Sequence, residues 1–105
     1  MTLDVNGRAW QIEWDHARFP PRPLMLPSGR ETWVHGATTC MIVPADAVDP
    51  DDILAAGYLG VAWCSAEDAF VKATGRKIAL TEALQSWGIT REQRREVWDA
   101  YHGRG

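Results

Sequence analysis

A chain of 105 residues suits one domain with a modest core, read here as residues 1–105. Its formal charge of -3 argues against general affinity for long nucleic acid or an anionic membrane. No apolar run approaches a membrane span and the first residues lack a signal-peptide pattern. Two cysteines, Cys40 and Cys64, suit a reduced cytosol, so the chain reads as cytoplasmic.

Residues 1–14 read as a hairpin. Asn6-Gly7 is a strong type I′ turn signal, because both turn positions need positive φ. A two-residue loop pairs Val5 with Arg8 and puts Leu3, Trp10, Ile12 and Trp14 on one face. From 15 to 30 the chain is predicted to be a loop, since Pro20, Pro21, Pro23 and Pro27 remove ladder donors. Its apolar residues, Phe19, Leu24, Met25 and Leu26, suggest an arm packed on a neighbour, the alternative being a floppy insertion.

A strand is predicted from Glu31 to Val43, and Asp49-Pro50-Asp51-Asp52 then starts a short helix that Gly57 closes. The residues from Tyr58 to Cys64 form the next strand, which completes a mainly β half over 1–64. Residues 65–103 are predicted to be helical. Ser65 with Asp68 resembles a capping box. Gly75 interrupts the helical run, so either the helix kinks there or a second one starts near Thr74. Ala79, Leu80, Ala83, Leu84 and Trp87 form an apolar stripe that Gly88 ends. Thr90 with Gln93 opens a last helix, reaching about His102, whose stripe is Arg94, Val97, Trp98 and Tyr101. The expected fold is α+β: a small N-terminal antiparallel sheet followed by two C-terminal helices.

Six tryptophans exceed what so small a core needs, which points to a homo-oligomer, a dimer or larger. Charge is divided unevenly. Residues 1–71 carry four Lys or Arg against ten Asp or Glu, and residues 72–105 carry seven against four.

Cations collect at predicted helix starts, where each opposes the dipole by about 0.3–1 kcal/mol. Arg76 and Lys77 follow Gly75, while Arg91, Arg94 and Arg95 follow Thr90. Such a conflict is expected where an anion is held. Arg94 and Trp98 share a helix face, a pairing able to grip phosphate and base together. The plainer alternatives are a solvated helix middle for Arg76 and Lys77, and a salt-bridged surface or subunit contact for the last helix.

Asp68 and Phe70 stand at the strand–helix junction, as hydrogen-bond acceptor and stacking ring or as cap and core residue. Cys64 has a nucleophile's position, but His16, His35 and His102 are scattered without a recognisable spacing, so no catalytic residue is assigned. Neither the cysteines nor the histidines show metal-ligand spacing. No metal and no cofactor are expected.

The run GVAWCSAEDAF, followed four residues later by GRKIAL, resembles a segment of small bacteriophage-encoded proteins. Among named groups it is similar to the Thoeris anti-defence protein 1 family. The resemblance covers residues 58–87 and the general architecture. It departs in the Pro-rich stretch 20–27 and the acidic turn Asp49–Asp52. It implies a cytoplasmic oligomer, encoded by a phage and acting in the host cell, that sequesters cyclic ADP-ribose-type or cyclic oligonucleotide signals without cleaving them.

The resulting expectation is a non-enzymatic cyclic nucleotide sponge. Phe70 stacks on the base, Arg94 and Arg95 hold phosphate, and Trp98, Arg76, Lys77 and Asp68 assist. Arg8 closes the pocket from a partner subunit. The alternatives are an anti-CRISPR-like inhibitor of a host protein complex, contacting it through the acidic half, and a nucleotide phosphodiesterase using Cys64 or a histidine.

Overall fold

The structure is a computed structural model that describes residues 1–103. Four antiparallel strands, β1 (Thr2–Val5), β2 (Arg8–Met25), β3 (Glu31–Pro44) and β4 (Tyr58–Ser65), lie in the order β1-β2-β3-β4. Helix α1 (Pro50–Ala56) links β3 to β4, while α2 (Lys72–Trp87) and α3 (Arg91–Tyr101) follow the sheet. The architecture is α+β, as the sequence pattern requires.

The first hairpin pairs Val5 with Arg8 and Leu3 with Trp10 around Asn6 and Gly7, both at positive φ. Beyond it the stretch read as a Pro-rich loop is a correction. β2 continues to Met25 and pairs with β3 through Met25↔Glu31. Two physical features make room for the prolines. Beyond Ile12, which still exchanges hydrogen bonds with Met1, β2 is an edge strand with no outer strand among the described residues, so a lost outward donor costs little. Phe19, Pro20 and Pro21 fall in a register shift between Arg18↔Gly36 and Arg22↔Val34. The proposed arm is therefore an extension of the sheet.

One sheet face carries the core. Trp10, Ile12, Cys40, Ile42 and Ala62 meet Ala79, Leu80, Ala83 and Leu84 of α2 and Val97 of α3. Trp10 packs 4.6 Å from Trp87, and Trp14 packs 5.5 Å from Tyr101, measured between ring centroids. Helix α2 approaches β4 so closely that a Cβ on Gly60 would stand 2.0 Å from the Ala79 carbonyl oxygen. Only glycine admits that contact.

The helix starts differ from one another. Asp49 caps α1 by accepting from Asp51 N–H at 2.9 Å, with Pro50 in the first turn. Thr90 and Gln93 form the complete capping box expected at α3. Ser65 and Asp68, however, do not start α2. Ser65 ends β4, its hydroxyl accepts from Glu67 N–H at 3.4 Å, and the chain turns until Lys72. The helical part thus begins at residue 72 rather than 65. Gly75 lies inside the first turn of a single helix without a break.

Candidate functional site

At the turn between β4 and α2 the chain opens a half-enclosed cleft of about 340 Å³. Its floor is Thr38, Ala62 and Cys64, and its walls include Asp68, Phe70, Val71, Thr74 and Ile78. The floor comes from alternate residues of β3 and β4, which face the helices. Gly36 shapes one wall: a Cβ there would stand 2.4 Å from the Phe70 ring, so the ring lies directly on the strand backbone. On the opposite side Gly75 rests on Thr38, bringing the start of α2 down to the sheet.

A bulge re-aims one histidine into this region. Val34 pairs with Ser65 and Gly36 with Cys64, leaving His35 as an extra residue. Bulges disturb the strict alternation of faces, and here the imidazole reaches the helix-covered side. His35 Nε2 stands 2.7 Å from the Asp68 carbonyl oxygen and 3.3 Å from Cys64 Sγ. A carbonyl only accepts, so the proton lies on Nε2 and is donated to Asp68. The Cys64 sulfur also has the Ser65 and Ala69 carbonyl oxygens at 3.6 Å. The thiol thus sits among acceptors, opposite a histidine nitrogen already used as a donor, so that nitrogen offers it no base. Cys40 lies wholly inside, and burial pushes its thiol up to about 12.

A cation and an imidazole flank the Phe70 ring. The Arg18 guanidinium lies 5.3 Å from its centroid, and His16 stands edge-on at 6.1 Å. His16 Nδ1 is 2.8 Å from Thr38 Oγ1. Burial holds the His16 pKa below its ordinary value, with the charges of Lys72 and Arg76 acting the same way and Asp15 opposing them. Trp14 Nε1 donates to the Arg76 carbonyl at 3.2 Å, fixing that helical turn against β2. Among the described residues the one ion pair is Arg8–Asp46, so Arg18, Lys72 and Arg76 have no carboxylate partner there.

The start of α2 adds to this field. Val71 at its N-cap supplies no side-chain hydrogen bond, and the first turn carries no acid. The first N–H groups of a helix have no partner within it, so these donors and the positive pole lie open beside the cleft, next to Lys72 and Arg76.

The sequence-derived residues divide into two groups. Asp68 and Phe70 line the cleft, and Arg76 borders it through its charge on His16. Lys77 lies exposed on α2, outside the lining. Arg8 sits by the first hairpin, 3.5 Å from Asp46 and over the Trp10 ring. Arg94 donates to the Ile89 carbonyl at 2.9 Å, Arg95 is exposed, and Trp98 stacks on His102 at 6.0 Å. None of these four lines the cleft. Arg18, His16, His35, Thr38 and Lys72 were missed. Four of them come from β2 and β3, and the tract read as a loop contained Arg18 and His16.

No protein-family profile, curated protein or solved structure matches the chain. The class is thus set by the fold alone: an α+β protein with a strand–helix cleft. No helix among the described residues is long and apolar enough to cross a membrane.

Proposed function

We propose that the protein is a non-enzymatic phage anti-defence factor that sequesters a small cyclic nucleotide signal in the cleft between β4 and α2. The observation that carries this reading is a cleft lined by the Phe70 ring and an uncapped helix start. It is bordered by Arg18 over that ring and by the charges of Lys72 and Arg76 on His16, all three cations without a carboxylate partner among the described residues. Phosphate suits the helix start and the cations, by charge-assisted hydrogen bonds and the helix dipole. A base suits the ring, by stacking.

A cleft of about 340 Å³ is near the lower end of ligand pockets, roughly 300–1,000 Å³. It takes one nucleotide unit, and the rest of a cyclic ligand extends past the rim. Holding without cleavage is supported by the arrangement at Cys64, where the neighbouring histidine nitrogen is already donating to Asp68. The resemblance over residues 58–87 supports a counter-defence setting in the host cytoplasm and an oligomeric assembly.

Titration calorimetry with cyclic ADP-ribose isomers and cyclic di- and trinucleotides tests the proposal. Binding of one of them, with the ligand recovered chemically intact after heat release, is the expected result. A chemically altered ligand instead points to a phosphodiesterase. Indifference to the whole panel removes the sponge and leaves the inhibitor of a host complex.

A further inference from the structure

Helices α2 and α3 pack on one side of the four-stranded sheet. Alternation turns the residues between the core positions Ile12, Cys40, Ile42 and Ala62 to the other side, where no helix covers them. The register sets these residues in rows across the strands. Glu13 stands beside Met41 and Leu59, Asp15 beside Thr39 and Val61, and Ala17 beside Ala37 and Trp63.

The rows change character across the sheet. Met41 is 41% exposed, Leu59 54% and Trp63 45%, so the half made by β3 and β4 presents large apolar side chains to solvent. Trp33, next to the buried Val34 and turned the opposite way, is 53% exposed and carries the apolar strip past the bulge of β3. The half made by β2 is acidic. Glu13 and Asp15 are exposed and have no ion-pair partner among the described residues. Asp4 of β1, paired with Ala9, joins them on the same side. Arg8, His16 and Arg18 of β2 alternate onto the helix side with Trp10 and Ile12. In these rows no Lys, Arg or His shares the bare side.

We infer that this face docks an amphipathic helix of a partner protein, apolar along one stripe and basic along one flank of that stripe. A bare sheet face is covered by a helix or by a second sheet. The apolar part is two strands wide and bounded by carboxylates. It offers a width of about 10 Å, which one helix fills and a second sheet overruns. From Trp33 to Met41 it runs about 25 Å, the length of about 16 helical residues. Glu13 and Asp15 stand about 7 Å apart along their strand, close to the rise of about 6 Å between helical residues four apart. Lys or Arg at that spacing meets both carboxylates.

Charge decides among the possible occupants. A second copy brings the same carboxylates and no cation on this face, so the acids of both stay unanswered. An anionic membrane is repelled by the acidic margin. An apolar patch with a polar rim suits a protein partner, and carboxylates at the rim steer a basic one to it. The proposal goes beyond the nucleotide reading and does not rest on it. The Phe70 ring lies on the helix side of the sheet, and the test contains no nucleotide.

The probe is a synthetic helical peptide of about 16 residues, with Leu along one stripe, Lys on one flank and Ala elsewhere, titrated into the full chain by calorimetry. The wild type is expected to bind it at least tenfold more tightly than the same peptide with Glu in place of Lys. In the double variant Glu13→Lys, Asp15→Lys that preference is expected to invert. Glu82→Lys with Glu96→Lys, an equal change of charge at exposed positions of α2 and α3, should leave it in place. The inversion is a gain of binding, so an unfolded variant does not imitate it. Leu59→Ser, with native circular dichroism, should weaken binding of the Lys peptide at least tenfold, a readout that stands even if the charge variants fail to fold. Equal affinity for the two peptides, or none for either, overturns the proposal. So does a preference that the β2 variant leaves unchanged or that the helix variant inverts equally. Wild-type binding to anionic vesicles gives the face to a membrane instead, and a dimer in sedimentation equilibrium that Leu59→Ser dissociates gives it to a second copy. Either result also overturns the proposal.

Discussion

Helices α2 and α3 both begin with cations beside their positive poles, and they deal with them in opposite ways. At α3 the backbone donors of the helix start are satisfied inside the chain. Thr90 and Gln93 cap each other's backbone, Glu92 supplies an acid, and Gln93 also reaches Asn6 in the first hairpin. Arg94 turns its guanidinium back to the Ile89 carbonyl. At α2 nothing comparable exists: the N-cap is Val71, the first turn has no acid, and Lys72 and Arg76 are unpaired among the described residues. A charge opposed to a helix dipole thus does not by itself point to an anion, because local hydrogen bonds can satisfy the helix start, as they do at α3 and not at α2.

The contrast breaks most severely at the sheet. Gly60→Val places atoms against the Ala79 carbonyl and the Ala83 N–H, which are backbone and cannot step aside. It is expected to cost about 3 kcal/mol of stability, read from chemical denaturation, and to remove the cleft with α2. A variant as stable as the wild type contradicts the described seating of α2.

Next in size are the ligand cations. Arg18→Ala and Arg76→Ala should each weaken nucleotide binding by about 1.5–3 kcal/mol while leaving the melting temperature nearly unchanged. Arg94→Ala and Thr90→Ala should do the reverse. Each is expected to cost about 1 kcal/mol of stability, through a lost hydrogen bond or cap, with affinity unaltered. Calorimetry beside thermal melts separates the two patterns.

The smallest effect is on pH. The folded pKa of His16 lies below its unfolded value, so the unfolded chain takes up the proton first as pH falls. Stability from this group is complete above the ordinary histidine pKa of about 6.5 and declines below it, towards the folded value. Urea midpoints at pH 7.5 and 5.5 should show a decline that His16→Gln reduces. An anion in the cleft stabilises the protonated ring, so ligand affinity should rise over the same interval.

Local signals in the sequence mark most of the elements. Asn6-Gly7 sets the first hairpin, Asp49-Pro50 the start of α1, and Thr90 with Gln93 the start of α3, each through bonds within a few residues. Long-range effects hide the rest. The prolines of β2 argue against a strand until it is known that β2 lies at an edge and bulges around them. Ser65 and Asp68 have capping-box spacing, yet serve a turn whose carbonyls point at Cys64 and His35. The site itself was half legible. Asp68, Phe70 and Arg76 are near each other in sequence, whereas His35 reaches Cys64 across 29 residues through a bulge that alternation does not foresee.

Parallel titrations of the wild type, Arg76→Ala and Arg94→Ala with the tightest-binding cyclic nucleotide test the central claim most directly. The account predicts at least tenfold weaker binding for Arg76→Ala, the equivalent of about 1.4 kcal/mol, and wild-type affinity for Arg94→Ala. Full affinity in Arg76→Ala together with a loss in Arg94→Ala would move the anion to α3 and contradict it.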